Sequence, residues 1–189
     1  MSVELLSYHQ IQLSDIEESL RLLPTAMLVR AKLLVMDVNN EPVELCGRVP
    51  LFFLFVVFSL LYPRTSELVY RSDETQKGIV IYSRLNDNQI IRPNDVVEPD
   101  FKSDELDIDN TFGLISNNDS TEIDLGKIWQ ESGQEITLFI LMVMKLCEDK
   151  HKVTFLGKVS PEYGLLALRV ALDRVDSVYY EDILLKKRV

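Results

Sequence analysis

The chain has 189 residues, 47% of them hydrophobic and 26% charged, and its 30 acids against 20 bases leave a formal net charge of −10. That balance excludes a phosphate-tracking surface, so no nucleic acid is expected as a partner, and the composition lies far from the disordered class. The length suits a single α+β domain over 1–189, able to bury roughly 70% of its unfolded surface without a disulfide or metal staple.

Met1 to Tyr8 shows no basic stretch followed by an apolar one, so no signal peptide is expected. Ser14 and Glu17 then stand as an S-x-x-E capping box. Ile16, Leu20 and Leu23 follow at helical spacing, and Pro24 is read as the stop of a short helix. From Ala26 to Val38 the pattern predicts a long strand, with Leu28, Arg30 and Lys32 on one face and Val29, Ala31, Leu33 and Val35 on the other. Asn39-Asn40 would turn the chain back into a partner strand over Val43–Cys46.

Leu51 to Tyr62 holds a single polar side chain and is fenced by Pro50 and Pro63. A helix apolar all round belongs in the centre of a fold or in a membrane. Twelve residues fall short of the roughly 20 that a span needs, while a strand that long would be about twice the usual length. The run is therefore read as a buried central helix (about 51–62), although its β-branched and aromatic content argues for a buried strand. Beyond it, Glu67–Arg71 reads as a strand. Ile79–Leu85 and Gln89–Arg92, joined by Asn86-Asp87-Asn88, read as a hairpin closed by Pro93.

Residues 93–124 carry ten acids against one base, Lys102, and so hold nearly the whole net charge. The segment reads as a long solvated loop. Ile128 and Trp129 suggest a short core-facing piece, and Gln134–Asp149 a second buried helix (about 134–149) with Ile136, Phe139, Ile140, Val143, Met144 and Cys147 in one stripe. Val153–Leu156 reads as a strand and Gly157–Glu162 as a turn. Leu165–Leu172 fits helix or strand, and Val178–Leu185 reads as a last strand before the basic tail Lys186-Lys187-Arg188. No repeat of fixed period is evident. The expected architecture is α+β, with antiparallel hairpins packed on the two buried helices.

The seven glycines form no phosphate-binding or nucleophile-elbow motif, and neither H-E-x-x-H nor C-x-x-C occurs. No catalytic residue, metal ligand or cofactor is therefore assigned. His9 lies in a polar stretch, and His151 follows the second helix, where a helix dipole favours it. An EF-hand loop starting at Asp107 fails, with Phe112 where glycine is needed and Asn118 in place of the closing glutamate. Cys46 and Cys147 read as small buried hydrophobes, a usage suited to a reducing cytoplasm.

These observations predict a non-enzymatic cytoplasmic protein-binding module whose acidic surface meets a basic protein. An immunity or inhibitor protein covering a nuclease-like toxin is the most specific form. Asp100, Asp104, Glu105, Asp107 and Asp109 are the expected contacts, and Phe101 and Phe112 the apolar anchors. Two alternatives stand beside it: an enzyme or divalent-cation-dependent factor using distant carboxylates, and a structural subunit of a larger assembly. Neither a membrane span nor a particular oligomeric state is indicated.

Overall fold

A computed structural model describes residues 4–14, 16–72, 76–85, 90–99 and 119–187. They form an α+β protein with mixed sheets, in two compact units, Met1–Glu98 and Pro99–Val189. None of the described helices is long and apolar enough to cross a membrane.

In the first unit, β1 (Glu4–Leu5) and β2 (His9–Gln12) lead through a 3-10 turn at Glu18–Leu22 into α1 (Pro24–Leu34). Then come β3 (Glu41–Cys46), α2 (Leu51–Leu61), β4 (Thr65–Arg71), β5 (Gly78–Ser83), β6 (Ile90–Ile91) and β7 (Val96–Val97). The main sheet runs β2-β3-β4-β5-β7, with only β4–β5 antiparallel, and β1 pairs with β6 in parallel. Two successive parallel crossovers step in one direction across β2-β3-β4 and, sharing the hand that such connections favour, leave α1 and α2 on one face of the sheet, where they pack on each other.

The second unit runs β8 (Ser120–Asp124), α3 (Leu125–Glu131), α4 (Ile136–Leu146), β9 (Lys152–Leu156), α5 (Pro161–Arg174), β10 (Ser177–Tyr180) and β11 (Ile183–Lys187). Its sheet is β8-β9-β10-β11, parallel except for the closing β10–β11 hairpin.

The two units therefore repeat one topology, β-α-β-α-β-β, down to the register. Val43 faces Leu68 and Leu45 faces Tyr70 in the first, and Val153 faces Val178 and Phe155 faces Tyr180 in the second, a constant shift of 110 residues. Val-Glu-Leu-Cys-Gly-Arg-Val at 43–49 echoes Val-Thr-Phe-Leu-Gly-Lys-Val at 153–159. The glycines share a task. Gly47 has φ +102° and a Cβ there would lie 2.1 Å from the Leu13 carbonyl oxygen, while Gly157 has φ +76° and a Cβ would lie 2.7 Å from Asp124 Oδ1. Each glycine carbonyl accepts a hydrogen bond from the equivalent tyrosine hydroxyl, Tyr70 at 3.0 Å and Tyr180 at 2.8 Å. Helices α1 and α4 are both eleven residues long and correspond at a shift of 112. Their buried positions Met27, Ala31 and Val35 match Phe139, Val143 and Cys147.

The central helix stands as expected: eight residues of α2 are buried, Phe53, Phe55 and Phe58 completely. The second buried helix is α4, with Phe139, Ile140, Met142 and Val143 inside. Several expectations are corrected. The predicted Ala26–Val38 strand is helix α1, and Pro24 opens that helix rather than ending one, because its fixed φ and missing N–H suit a first turn. Glu17, at the head of the 3-10 turn, makes no side-chain cap. Leu165–Leu172 lies inside helix α5, and the predicted Val178–Leu185 strand is the two-strand hairpin β10–β11. Of the predicted hairpin, residues 86–89 lie outside the described residues, and the described remainders do not pair: β5 lies between β4 and β7, and Ile90–Ile91 goes to β1. Antiparallel hairpins thus give way to mainly parallel pairing, since two of the three connections in each repeat are helical crossovers, which return the chain in its original direction.

Candidate functional site

Strand alternation gives each sheet two different faces. In the first unit Val43, Leu45, Leu68 and Tyr70 form the apolar side, while Gln10, Glu44, Glu67 and Arg71 share the other. On that second face Glu67 is wholly inaccessible and Glu44 is 3% exposed. Burying a carboxylate is expensive unless it is paired and hydrogen-bonded, and both are. Arg92 reaches Glu67 through Nη2 at 2.6 Å and Nε at 3.0 Å to Oε2, and Tyr8 donates its hydroxyl proton to Oε1. Arg71 donates through Nε to Glu44 Oε1 at 2.7 Å, and Gln10 Nε2 donates to Oε2 at 2.9 Å.

Each guanidinium also holds an outer acid. Arg92 Nη1 lies 3.2 Å from Glu98 Oε2, and Arg71 Nη1 lies 2.7 Å from Asp95 Oδ2. The result is two parallel chains, Tyr8–Glu67–Arg92–Glu98 and Gln10–Glu44–Arg71–Asp95, that tie the N-terminal segment and residues 92–98 to the sheet. Burial, and then the Glu67 hydrogen bond, push the Tyr8 phenol above its usual range. For Arg71, burial works against the charge but is outweighed by the Glu44 and Asp95 carboxylates, so its pKa rises.

With every carboxylate engaged by a cation, this cluster holds position and charge balance; it presents no poised base. The repeat supports that reading. The counterparts of Glu44 and Glu67 in the second unit are Thr154 and Ser177, at the same registers, so the fold itself does not demand the acids.

The first unit's other distinctive surface lies on α1. Met27, Ala31 and Val35 face inward. Diametrically opposite on α1 are Ala26, Val29 and Leu33; Leu22 in the 3-10 turn and Met36 in the turn after the helix continue the 4-3-4-3 spacing in sequence, and Leu22, Val29, Leu33 and Met36 are 82%, 52%, 62% and 59% exposed. Leu23 and Leu28, outside that row, are also exposed, at 58% and 40%. An outward row should be polar. The corresponding row in the second unit, Gln134, Leu138, Leu141, Lys145 and Glu148, ends in an ion pair of 2.7 Å between Lys145 and Glu148.

Between α4 and α5 lies a cavity of about 290 Å³, lined by Ile140, Met144, Leu166 and Val170 with Arg169, Asp173 and Arg174. Its charged groups all come from one helical run, so they do not converge on a ligand from several sides, as polar groups in binding pockets do.

The expected partner contacts Asp100, Phe101, Asp104, Glu105, Asp107, Asp109 and Phe112 lie outside the described residues. Cys46 is half-buried and Cys147 buried, and neither is joined in a disulfide. Burial raises the Cys147 thiol to about 12, so it is inert as a nucleophile near neutral pH. His9 sits 3.4 Å from Glu41, and His151 Nδ1 lies 2.8 Å from Asp176 Oδ2, a contact that raises the His151 pKa. No group of histidines, cysteines and carboxylates able to hold a metal occurs among the described residues.

Sequence reading missed both surfaces. Glu67 and Arg92 are 25 residues apart and Glu44 and Arg71 are 27 apart, so no local pattern joins them. The α1 row was legible in principle, as the 4-3-4-3 spacing of apolar residues from Leu22. Compared with known proteins, the chain matches no family model, no curated protein and no solved structure.

Proposed function

We propose that the chain is a non-enzymatic protein-binding module. The observation that carries this reading is the apolar outer row of α1, at a position that the second copy of the same fold leaves partly charged. Exposed contiguous apolar surface rimmed by polar residues is characteristic of interaction sites. The more specific form is an immunity or inhibitor protein acting in the cytoplasm on a basic partner such as a nuclease-like toxin. Its support is the net charge of −10 concentrated between residues 93 and 124, which would steer a basic surface and lose that effect in salt.

Affinity purification of the tagged chain from its own cells tests the reading with two variants beside the wild type. One is Val29→Glu/Leu33→Glu; the other converts Asp100, Asp104, Glu105, Asp107 and Asp109 to Asn or Gln. A protein recovered at stoichiometric amounts with the wild type and lost from at least one of these folded variants supports the module. Loss from the second variant alone favours the acidic segment as the contact. No stoichiometric protein lost from either variant overturns the proposal.

A further inference from the structure

We propose that the outer face of α1 docks an amphipathic helix whose flanks are acidic; this rests on the protein-binding reading above, independently of its basic-partner form, and names the chemistry of the segment that meets α1. Three observations carry it.

The first is shape. Leu22, Ala26, Val29, Leu33 and Met36 recur at the alternating spacing of four and three that lets one helix lay a seam against another. The part of the seam inside α1, Ala26, Val29 and Leu33, spans about 10 Å at 1.5 Å per residue, flanked by exposed Leu22 in the 3-10 turn and Met36 in the turn that follows the helix. That matches two turns of a partner helix reading i, i+3, i+4 and i+7 anchors.

The second is the repeat, which serves as an internal control. Position for position, Leu33 and Met36 become Lys145 and Glu148 in the second unit. Both helices bury their inner stripe, so the apolar outer row of α1 is not required for folding. Only a surface that is covered in use gains from carrying it.

The third is charge. Residues 19–36 contain Arg21, Arg30 and Lys32 and no acid, in a chain with 30 acids. On the helical wheel Lys32 and Arg30, whose guanidinium also donates to the Ser14 carbonyl at 3.4 Å, fall on opposite sides of the seam, about 80° from its centre at 100° per residue. These are the edges where a docked helix places its flanking charges, as e and g positions do in coiled coils. Acidic flanks would meet opposite charge on both sides. A second copy of this chain in antiparallel packing would set Arg30 and Lys32 against the same bases, and like-charge juxtaposition disfavours that assembly.

The test uses the purified full chain and two synthetic helical peptides. Both carry leucines at 4-3-4-3 spacing; one is flanked by glutamate and the other by lysine. Fluorescence anisotropy at low and physiological ionic strength measures binding. The expected result is at least tenfold preference for the glutamate-flanked peptide, narrowing with salt, and at least tenfold weakening by Leu33→Glu. Because Leu33 is 62% exposed, that variant should keep the wild-type melting temperature. Lys32→Glu, alone or with Arg30→Glu, should move the preference toward the lysine-flanked peptide.

Equal binding of the two peptides, or tighter binding of the lysine-flanked one, overturns the acidic-partner inference but leaves the module reading standing. If neither binds and sedimentation shows a dimer that Leu33→Glu dissociates, the occupant is a second copy and the inference fails. If neither binds and the chain is monomeric with or without Leu33→Glu, the inference fails and α1 no longer supports the module reading.

Discussion

Glu67→Gln isolates the charge of the buried cluster from its shape. The amide keeps an oxygen that can accept the Tyr8 hydroxyl proton, so what is lost is the carboxylate facing Arg92. Removing one member of a buried ion pair typically costs about 3–5 kcal/mol, because the remaining charge is left uncompensated. Arg92 is not wholly abandoned here: it is 14% exposed and keeps Glu98 at 3.2 Å. The expected cost is therefore below that range, about 2–3 kcal/mol. Glu98→Gln is the matched control. Its carboxylate is 47% exposed, so its loss should cost about 0–1 kcal/mol.

Urea unfolding followed by circular dichroism measures both variants. The single tryptophan, Trp129, lies in α3, so its fluorescence reports on the second unit. Hydrogen exchange at the β4 amides should show the loss locally. A Glu67→Gln protein within 1 kcal/mol of wild type, or no less stable than Glu98→Gln, would refute the argument that the sheet depends on this charge pair.

The repeat yields a paired prediction. Gly47→Ala and Gly157→Ala should both destabilise, since each forces a side chain into positive φ at about 1–2 kcal/mol. Gly47→Ala should be worse in urea denaturation, because its Cβ meets the Leu13 backbone at 2.1 Å whereas that of Gly157 meets the movable Asp124 side chain at 2.7 Å. Displacing Asp124, which accepts from Gly126 N and Lys127 N at the start of α3, adds about 0.5–2 kcal/mol. Equal effects, or the reverse order, would contradict this steric ranking, and a variant at either glycine as stable as wild type would contradict the assigned equivalence. Cys147 is also predicted to resist alkylation at pH 8 in the native state and to react on unfolding, with Cys46 the faster thiol. Its folded pKa is raised to about 12, above the ordinary thiol value of about 8.5. Its contribution to stability is therefore fully present below that ordinary value and is lost as pH rises from there toward 12. Fast labelling of folded Cys147 at pH 8, read by mass spectrometry, would overturn the assignment.

Local chemistry alone specifies α2. Leu51–Leu61 has no polar face to give water and is bracketed by prolines, so local chemistry and tertiary environment agree. It also specifies α4, whose apolar stripe recurs at helical spacing, and most strand positions. Helix α1 looks like a strand in sequence for a physical reason. It is apolar on its inner side for the core and on its outer side as well, so the one-sided pattern that marks a surface helix is missing and alternation with Arg30 and Lys32 imitates a strand. Parallel pairing could not be read either, since register belongs to strands separated by a whole helix. β6 illustrates the point: its partner lies not across a nearby turn but at Glu4–Leu5.

The same distance hid the cluster and the repeat. Glu67 reads as an ordinary acid within a strand until Arg92 and Tyr8 are brought to it from opposite directions along the chain. The duplication survives in sequence only where geometry allows no substitute: a glycine at positive φ, the tyrosine that bonds its carbonyl, and buried apolar positions at one register. Side chains elsewhere were free to diverge, because burial constrains hydrophobicity and volume more than identity. Composition and spacing thus set which segments must be inside, whereas the partners of the buried charges and the open face of α1 were decided only when distant segments met.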